Sequence, residues 1–162
     1  MTKPRRAPAK ISIAQTAEQI RRCHSIMRQL RPHFARADEF VRQVQRQQEQ
    51  GYFLAFLEHD GEVRAVAGYR FLESLFSGKN LYVDDLVTDE SSRSSGFGGR
   101  LIDWLTREAR RRGCRRLELD SGVQRDRAHR FYFRKGLKID SFHFRKELAA
   151  PAKSANQTKR KR

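Results

Sequence analysis

The stretch LYVDDLVTDESSRSSGFGGRLIDWLTREA, residues 81–109, decides how this chain folds. It opens as a strand. It then runs through RSSGFGGR (93–100), three glycines and two serines with an arginine at each end. It closes as a helix whose apolar face is Phe97, Leu101, Trp104, Leu105 and Ala109. The amides of such a loop, and of the first helical turn, have no intrahelical partners and carry the positive end of the helix dipole. A phosphate can accept from them if no Cβ blocks its approach, which glycine ensures and small serine tolerates. The loop is not a P-loop, because no Gly-Lys-Ser/Thr follows, and no G-x-G-x-x-G opens a leading βαβ unit. Taken alone, a plain flexible turn is the competing reading.

Working outward, ISIA (11–14) alternates as a short strand. Ile20, Cys23, Met27 and Leu30 recur at helical spacing from Ala17 to Leu30, with Pro32 ending the helix. A polar helix over 37–50 is stopped by Gly51. YFLAFLE (52–58) and VRAVAGYRFLESL (63–75) flank Asp60-Gly61, a hairpin signal. NLYVDDLVT (80–88) is the next strand. Beyond the glycine loop and its helix, which Gly113 ends, CRRLELD (114–120) predicts a strand. DRAHRFYFRKG (126–136) predicts a short helix, and LKIDSFHFRKEL (137–148) a final strand. Consecutive strands early and a strand–helix–strand unit late predict a mixed sheet of α/β (mixed α+β) class with helices on both faces.

The length of 162 residues suits one domain, expected over 10–148, with a basic disordered arm at 1–9 and a basic disordered tail at 149–162. The formal net charge is +16, and nine of those charges lie in residues 1–10 and 151–162. The remainder cluster at REARRRGCRR (107–116), where arginine complements a helix C-terminus. Weak, salt-sensitive nucleic-acid contact through the basic ends is the sharper alternative to simple solubilisation. No apolar run is long enough to cross a bilayer, and the basic N-terminus lacks the apolar core of a secretory signal. Two cysteines, Cys23 and Cys114, form neither a disulfide framework nor a metal-binding spacing, and Cys23 is expected as a buried thiol. These features lead us to expect a cytoplasmic protein with no membrane contact and no metal.

Two blocks carry a family resemblance. Arg93-Ser94-Ser95-Gly96-Phe97-Gly98 resembles the [RQ]-x-x-G-x-[GA] loop of the GCN5-related N-acetyltransferase (GNAT) superfamily. Ala128, Tyr132, Gly136 and Leu137 match its later A-x-x-x-Y-x-x-x-G-[FL] helix. The element order over roughly 10–148 matches as well. The resemblance implies a partly splayed sheet and acetyl-CoA as cosubstrate. It assigns the pantetheine arm to the backbone of Leu86, Val87 and Thr88. The diphosphate falls to the amides of Ser94, Ser95, Gly96, Phe97, Gly98 and Gly99, with charge from Arg93 and Arg100. It implies that Tyr132 protonates the departing thiolate and that an amide near Leu86 stabilises the oxyanion. Many members carry asparagine where this chain has Arg125, which would serve a cofactor phosphate instead. Homodimers are common in the superfamily, and that state is left open.

The implied acceptor is a primary amine, of which only about 0.1% is neutral at pH 7. A carboxylate is needed to take its proton. Asp84 and Asp85 stand in the strand just before the pantetheine segment. Adjacent strand residues face opposite ways, so one of them is expected in the cleft, Asp84 first and Asp85 second. Asp120 and Ser121 are further candidates for the acceptor site, whereas His129 reads as a helix-surface residue. The two acids favour a cationic acceptor, while the basic ends favour an acidic macromolecule. No cysteine lies in either block, which argues for direct attack in a ternary complex. The competing function is a basic nucleic-acid or ribosome-associated binding module on an inactive scaffold.

Overall fold

The structure is a computed structural model that describes residues 8–148. The basic ends at 1–9 and 149–162 lie outside the described residues except for Pro8 and Ala9, and Ala9 packs against the core. Ten elements follow one another: β1 (Lys10–Ile13), α1 (Ala17–Leu30), α2 (Ala37–Gln48), β2 (Tyr52–His59), β3 (Glu62–Ser74), β4 (Gly78–Thr88), a 3-10 turn (Glu90–Ser92), α3 (Phe97–Arg111), β5 (Arg116–Leu119) and α4 (Asp126–Arg134).

The five strands form one open sheet in sequence order, antiparallel from β1 to β4 and parallel between β4 and β5. Local chemistry sets the element ends. Thr16 accepts from the Gln19 amide while the Gln19 side chain accepts from the Thr16 amide, a reciprocal cap that starts α1. Asp60 and Gly61 both take positive φ in the β2–β3 turn, the conformation a two-residue hairpin needs. At the end of α3, Cys114 N–H reaches back to Ala109 O and Gly113 N–H to Arg110 O. At the end of α4, Leu137 and Gly136 repeat that pattern onto Tyr132 and Phe133.

Two apolar layers cover the two faces of the sheet. Ile20, Cys23 and Met27 of α1 and Phe40 and Val44 of α2 pack with Leu54, Phe56 and Val66. Leu101, Ile102 and Leu105 of α3 pack with Tyr69, Leu81 and Val83 on the other side. Cys23 is fully buried, and burial pushes its thiol up to about 12, which makes it inert. In the arginine-rich end of α3, Arg111 and Arg112 both pair with the buried Glu108. Among the described residues no helix is long and apolar enough to cross a membrane.

The final strand expected at 137–148 does not form. Its apolar residues change phase: Leu137 and Ile139 fall on one parity, Phe142 and Phe144 on the other. No single face therefore stays apolar along the segment. Ile139, Phe142 and Phe144 are 68%, 86% and 91% exposed. The segment is tied back at His143, whose Nδ1 lies 3.0 Å from Asp120.

Candidate active site

β4 and β5 pair only from Asn80/Arg116 to Val83/Leu119. β5 then ends, while β4 continues to Thr88 along β3. Among the described residues the β4 backbone from Asp84 to Thr88 therefore has no strand partner on its β5 side, and the sheet opens there. The expected splay is present, and Leu86, Val87 and Thr88 stand along it. Leu86 and Val87 send their side chains into the two opposite core layers, so any contact with a ligand there runs through backbone.

The glycine loop follows immediately. Ser94 takes φ 71° and Gly96 φ 81°, a left-handed conformation that favours glycine. Gly96 precedes α3 without a side-chain cap. Among the described residues, the amides of Ser94, Gly96, Phe97, Gly98 and Gly99 donate no hydrogen bond, while Ser95 donates to Ser92 O. Phe97 is buried, so only its backbone faces outward. A Cβ on Gly98 would sit 2.8 Å from Thr88 Oγ1 and 3.7 Å from the Phe131 ring. One on Gly99 would sit 2.9 Å from the Lys135 side chain. The loop thus fits closely between the end of β4 and helix α4. Asp89 anchors it: its carboxylate accepts from Ser91, Gln29 and Arg64, and its own amide donates to Arg64 O. Those bonds hold its pKa below the usual carboxylate range. Arg93 and Arg100 are exposed beside the loop, and Arg93 reaches Glu90 at 3.3 Å. Lys135, absent from the expected set, reaches the loop at Gly99, with its ammonium held by Asp103 at 2.8 Å.

On the other side of the opening lies a cavity of about 1440 Å³ lined by residues of α1, α2, β2, β4, the end of β5, α4 and the segment after it. It brings together Asp84, Asp85, Asp120, Ser121, His129 and Tyr132. The glycine loop and Arg125 are not among its lining residues. Arg125 stands just before α4, close enough for its charge to act on the Tyr132 hydroxyl. That hydroxyl makes no hydrogen bond among the described residues, and burial raises its pKa above the ordinary tyrosine value.

The expectation that only one aspartate faces the cleft is wrong, and the register explains why. Tyr69 pairs with Val83 and Gly68 with Asp85, so Asp84 is an extra residue on β4. This bulge resets the alternation and turns both carboxylates into the same cavity. Their surroundings differ. Asp85 uses both oxygens, accepting from Arg31 Nε at 2.7 Å and from the Tyr52 hydroxyl at 3.2 Å. Asp84 accepts from Arg70 Nε at 2.8 Å on Oδ2, and its Oδ1 has no partner among the described residues. Burial is the main influence on Asp84 and raises its pKa, against the opposing pull of Arg70. Each acid is therefore paired with a guanidinium, and the cleft lacks the bare negative charge that two aspartates suggest. Asp120 accepts from the Tyr82 hydroxyl at 2.5 Å as well as facing His143.

Arg31, Tyr52, Gly68, Arg70 and Tyr82 were not among the expected site residues. Tyr52 reaches Asp85 only by crossing Gly68, where a Cβ would sit 1.9 Å from its hydroxyl oxygen. A glycine inside an otherwise bulky strand was the available signal.

An open mixed sheet thus splits beside a cap-free glycine loop, with a tyrosine and carboxylates across the gap. The sequence model of the Acetyltransferase (GNAT) family matches residues 15–137, and the chain belongs to that family. An uncharacterized N-acetyltransferase of Bacillus subtilis, YhdJ, is 39% identical over 102 residues, which is 62% of this chain and 72% of that one. The aminoalkylphosphonate N-acetyltransferase of Salmonella typhimurium is 38% identical over 66 residues, 41% of this chain. This chain spans 43% of that relative's length. An aminoglycoside N-acetyltransferase solved in complex with CoA shares the fold, with TM-score 0.75 and 15% identity over 92% of this chain and 100% of that one.

Proposed function

We propose that the protein moves an acetyl group from acetyl-CoA to a primary amine by direct attack in a ternary complex. One observation carries this reading: Asp84, with one free carboxylate oxygen, and Tyr132, with a free hydroxyl, line one cavity at the point where β4 loses its β5 partner. The chain's residues fit acetyl-CoA. The β4 backbone at Leu86 to Thr88 is open for strand-like pairing, and the free amides of the loop at 94–99 suit a diphosphate. Arg93 and Arg100, exposed beside the loop, suit phosphate charge, and Arg125 stands at the start of α4 near Tyr132. When bound, acetyl-CoA supplies its acetyl group as an activated thioester.

Asp84 Oδ1 holds the acceptor ammonium and takes its proton, directly or through one water. Burial makes that carboxylate a better base than an exposed aspartate, against the opposing pull of Arg70. Asp85 positions rather than reacts, because both its oxygens are engaged. Tyr132 keeps its proton well into the alkaline range and gives it to the departing sulfur. An amide near Leu86 faces the opening and suits developing negative charge on the carbonyl oxygen. Cys23, fully buried in the core, takes no part.

The test is CoA release from acetyl-CoA with a panel of primary amines, comparing the native chain with Tyr132→Phe and Asp84→Asn. Amine-dependent release that both substitutions depress supports the reading. Release without amine, or none with any amine, contradicts it.

A further inference from the structure

The pairing of the two aspartates is asymmetric. Asp84's cation, Arg70, is not among the residues lining the cavity, whereas Asp85's cation, Arg31, is. Asp84 therefore presents a free carboxylate oxygen to the cavity with its counter-ion behind it. Beside it, Arg31 lines the cavity together with its own counter-ion Asp85, both of whose oxygens are engaged. Arg31 uses Nε on Asp85 and Nη2 on the Asp84 backbone carbonyl at 3.2 Å. Its Nη1 has no partner among the described residues, and 43% of its side chain is exposed. Pro32 fixes the site by ending α1 at this residue, whose own amide is bonded to Met27 O. The cavity thus offers an anion-binding group and a cation-binding group side by side, Arg31 being bonded to the Asp84 backbone itself.

Resting on the proposed acetyl transfer, we infer that the acceptor is a small amino compound bearing an oxyanion, carboxylate or phosphonate, a short alkyl spacer from its amine. Asp84 takes the ammonium and the free face of Arg31 takes the oxyanion. Arginine suits this task because the end of its planar fork, the unpartnered Nη1 with the second N–H of Nη2, matches two oxygens of a carboxylate or phosphonate. Beside Asp84, the second charge of a short diamine would meet Arg31 or Asp85, whose two oxygens are already engaged. A neutral amine would leave the guanidinium without a partner on its open side. Arg31 is then a specificity-determining residue, held at the correct angle by Asp85, which is itself fixed by Tyr52.

The experiment measures kcat/KM for CoA release by the full chain with 2-aminoethylphosphonate, β-alanine, ethanolamine and 1,4-diaminobutane. The two anionic amines are expected to exceed the other two by roughly ten- to hundredfold. Their order separates phosphonate from carboxylate as the better fit. Arg31→Gln is expected to bring the ratio of anionic to neutral substrate toward one, and Arg31→Lys to keep part of it. Melting curves check that the variants fold, and the native comparison stands without them. Neutral or dicationic amines turning over as well as the anionic ones would overturn the inference while leaving acetyl transfer intact. A preference unmoved in a folded Arg31→Gln would overturn the role of Arg31. No CoA release with any of these amines or with a lysine-bearing peptide would contradict acetyl transfer itself.

Discussion

The phenol of Tyr52 lies across the backbone of Gly68, so close that a Cβ there would stand 1.9 Å from the hydroxyl oxygen and 2.4 Å from the ring. That crossing carries the hydroxyl from β2 over β3 to Asp85 on β4. Gly68→Ala therefore cannot be absorbed by a small shift. It is expected to cost about 1–3 kcal/mol, by the usual penalty for overfilling a packed site. Chemical denaturation with an unchanged m-value would show this, and a stability equal to the native chain would contradict it.

Tyr52→Phe keeps the packing and removes the hydroxyl, leaving Asp85 with Arg31 alone. In a cycle with Asp85→Asn, the two changes are expected to couple by about 0.5–3 kcal/mol, as contacting residues of one network do. Additive effects would mean that the 3.2 Å bond contributes nothing.

Tyr132→Phe should lower kcat by about 10²-fold or more, the range for loss of a general acid. Binding of acetyl-CoA should be unchanged. Because burial raises the tyrosine pKa, the alkaline limb of the native kcat profile is expected above the ordinary value of about 10. A limb near neutrality would assign the proton to another group.

Asp84 gives the opposite limb. Its pKa is raised by burial, so the ionised base appears only as pH climbs above the ordinary aspartate value of about 3.9. The acid limb of kcat/KM should lie above that value and vanish from the residual activity of Asp84→Asn. The same shift has a sign for stability. The folded state holds this proton more tightly than the unfolded chain does. The group thus loses stability as pH rises from the unfolded to the folded pKa. Asp89 behaves in reverse: its depressed pKa gives stability that is present above about pH 4 and lost as pH falls through the lower folded value.

Gly98→Ala brings a Cβ to 2.8 Å from Thr88 Oγ1 and into the face of the loop. It should lower the melting temperature and weaken acetyl-CoA binding together. Adding Thr88→Ala should recover the melting temperature and leave the affinity reduced, because the new methyl group still stands before the free amides. Recovery of both would show that the loop's amides do not face the ligand.

Most of the architecture was readable because each element rests on local signals. The hairpin needed only Asp60-Gly61, α1 only its apolar spacing and Pro32, and the loop only its glycines. The two family blocks then located Tyr132 and the loop. The misreadings have a common cause. Strand alternation assigns Asp84 and Asp85 to opposite faces until the pairing of Gly68 with Asp85 reveals the extra residue. Arg31, Tyr52 and Arg70 lie far apart along the chain and meet the aspartates only through that register. The segment 137–148 alternates in two halves that disagree in phase, and a strand reading overlooks the slip.

Melting the full chain with acetyl-CoA, and with ATP as a polyphosphate control, decides whether the split sheet and glycine loop hold acetyl-CoA. A ligand that binds only the folded state adds about 2.7 kcal/mol at a hundred times its Kd. For a domain of this size that is a rise of several degrees. This rise is expected with acetyl-CoA and little with ATP. Equal rises with both, or none with acetyl-CoA, would contradict it.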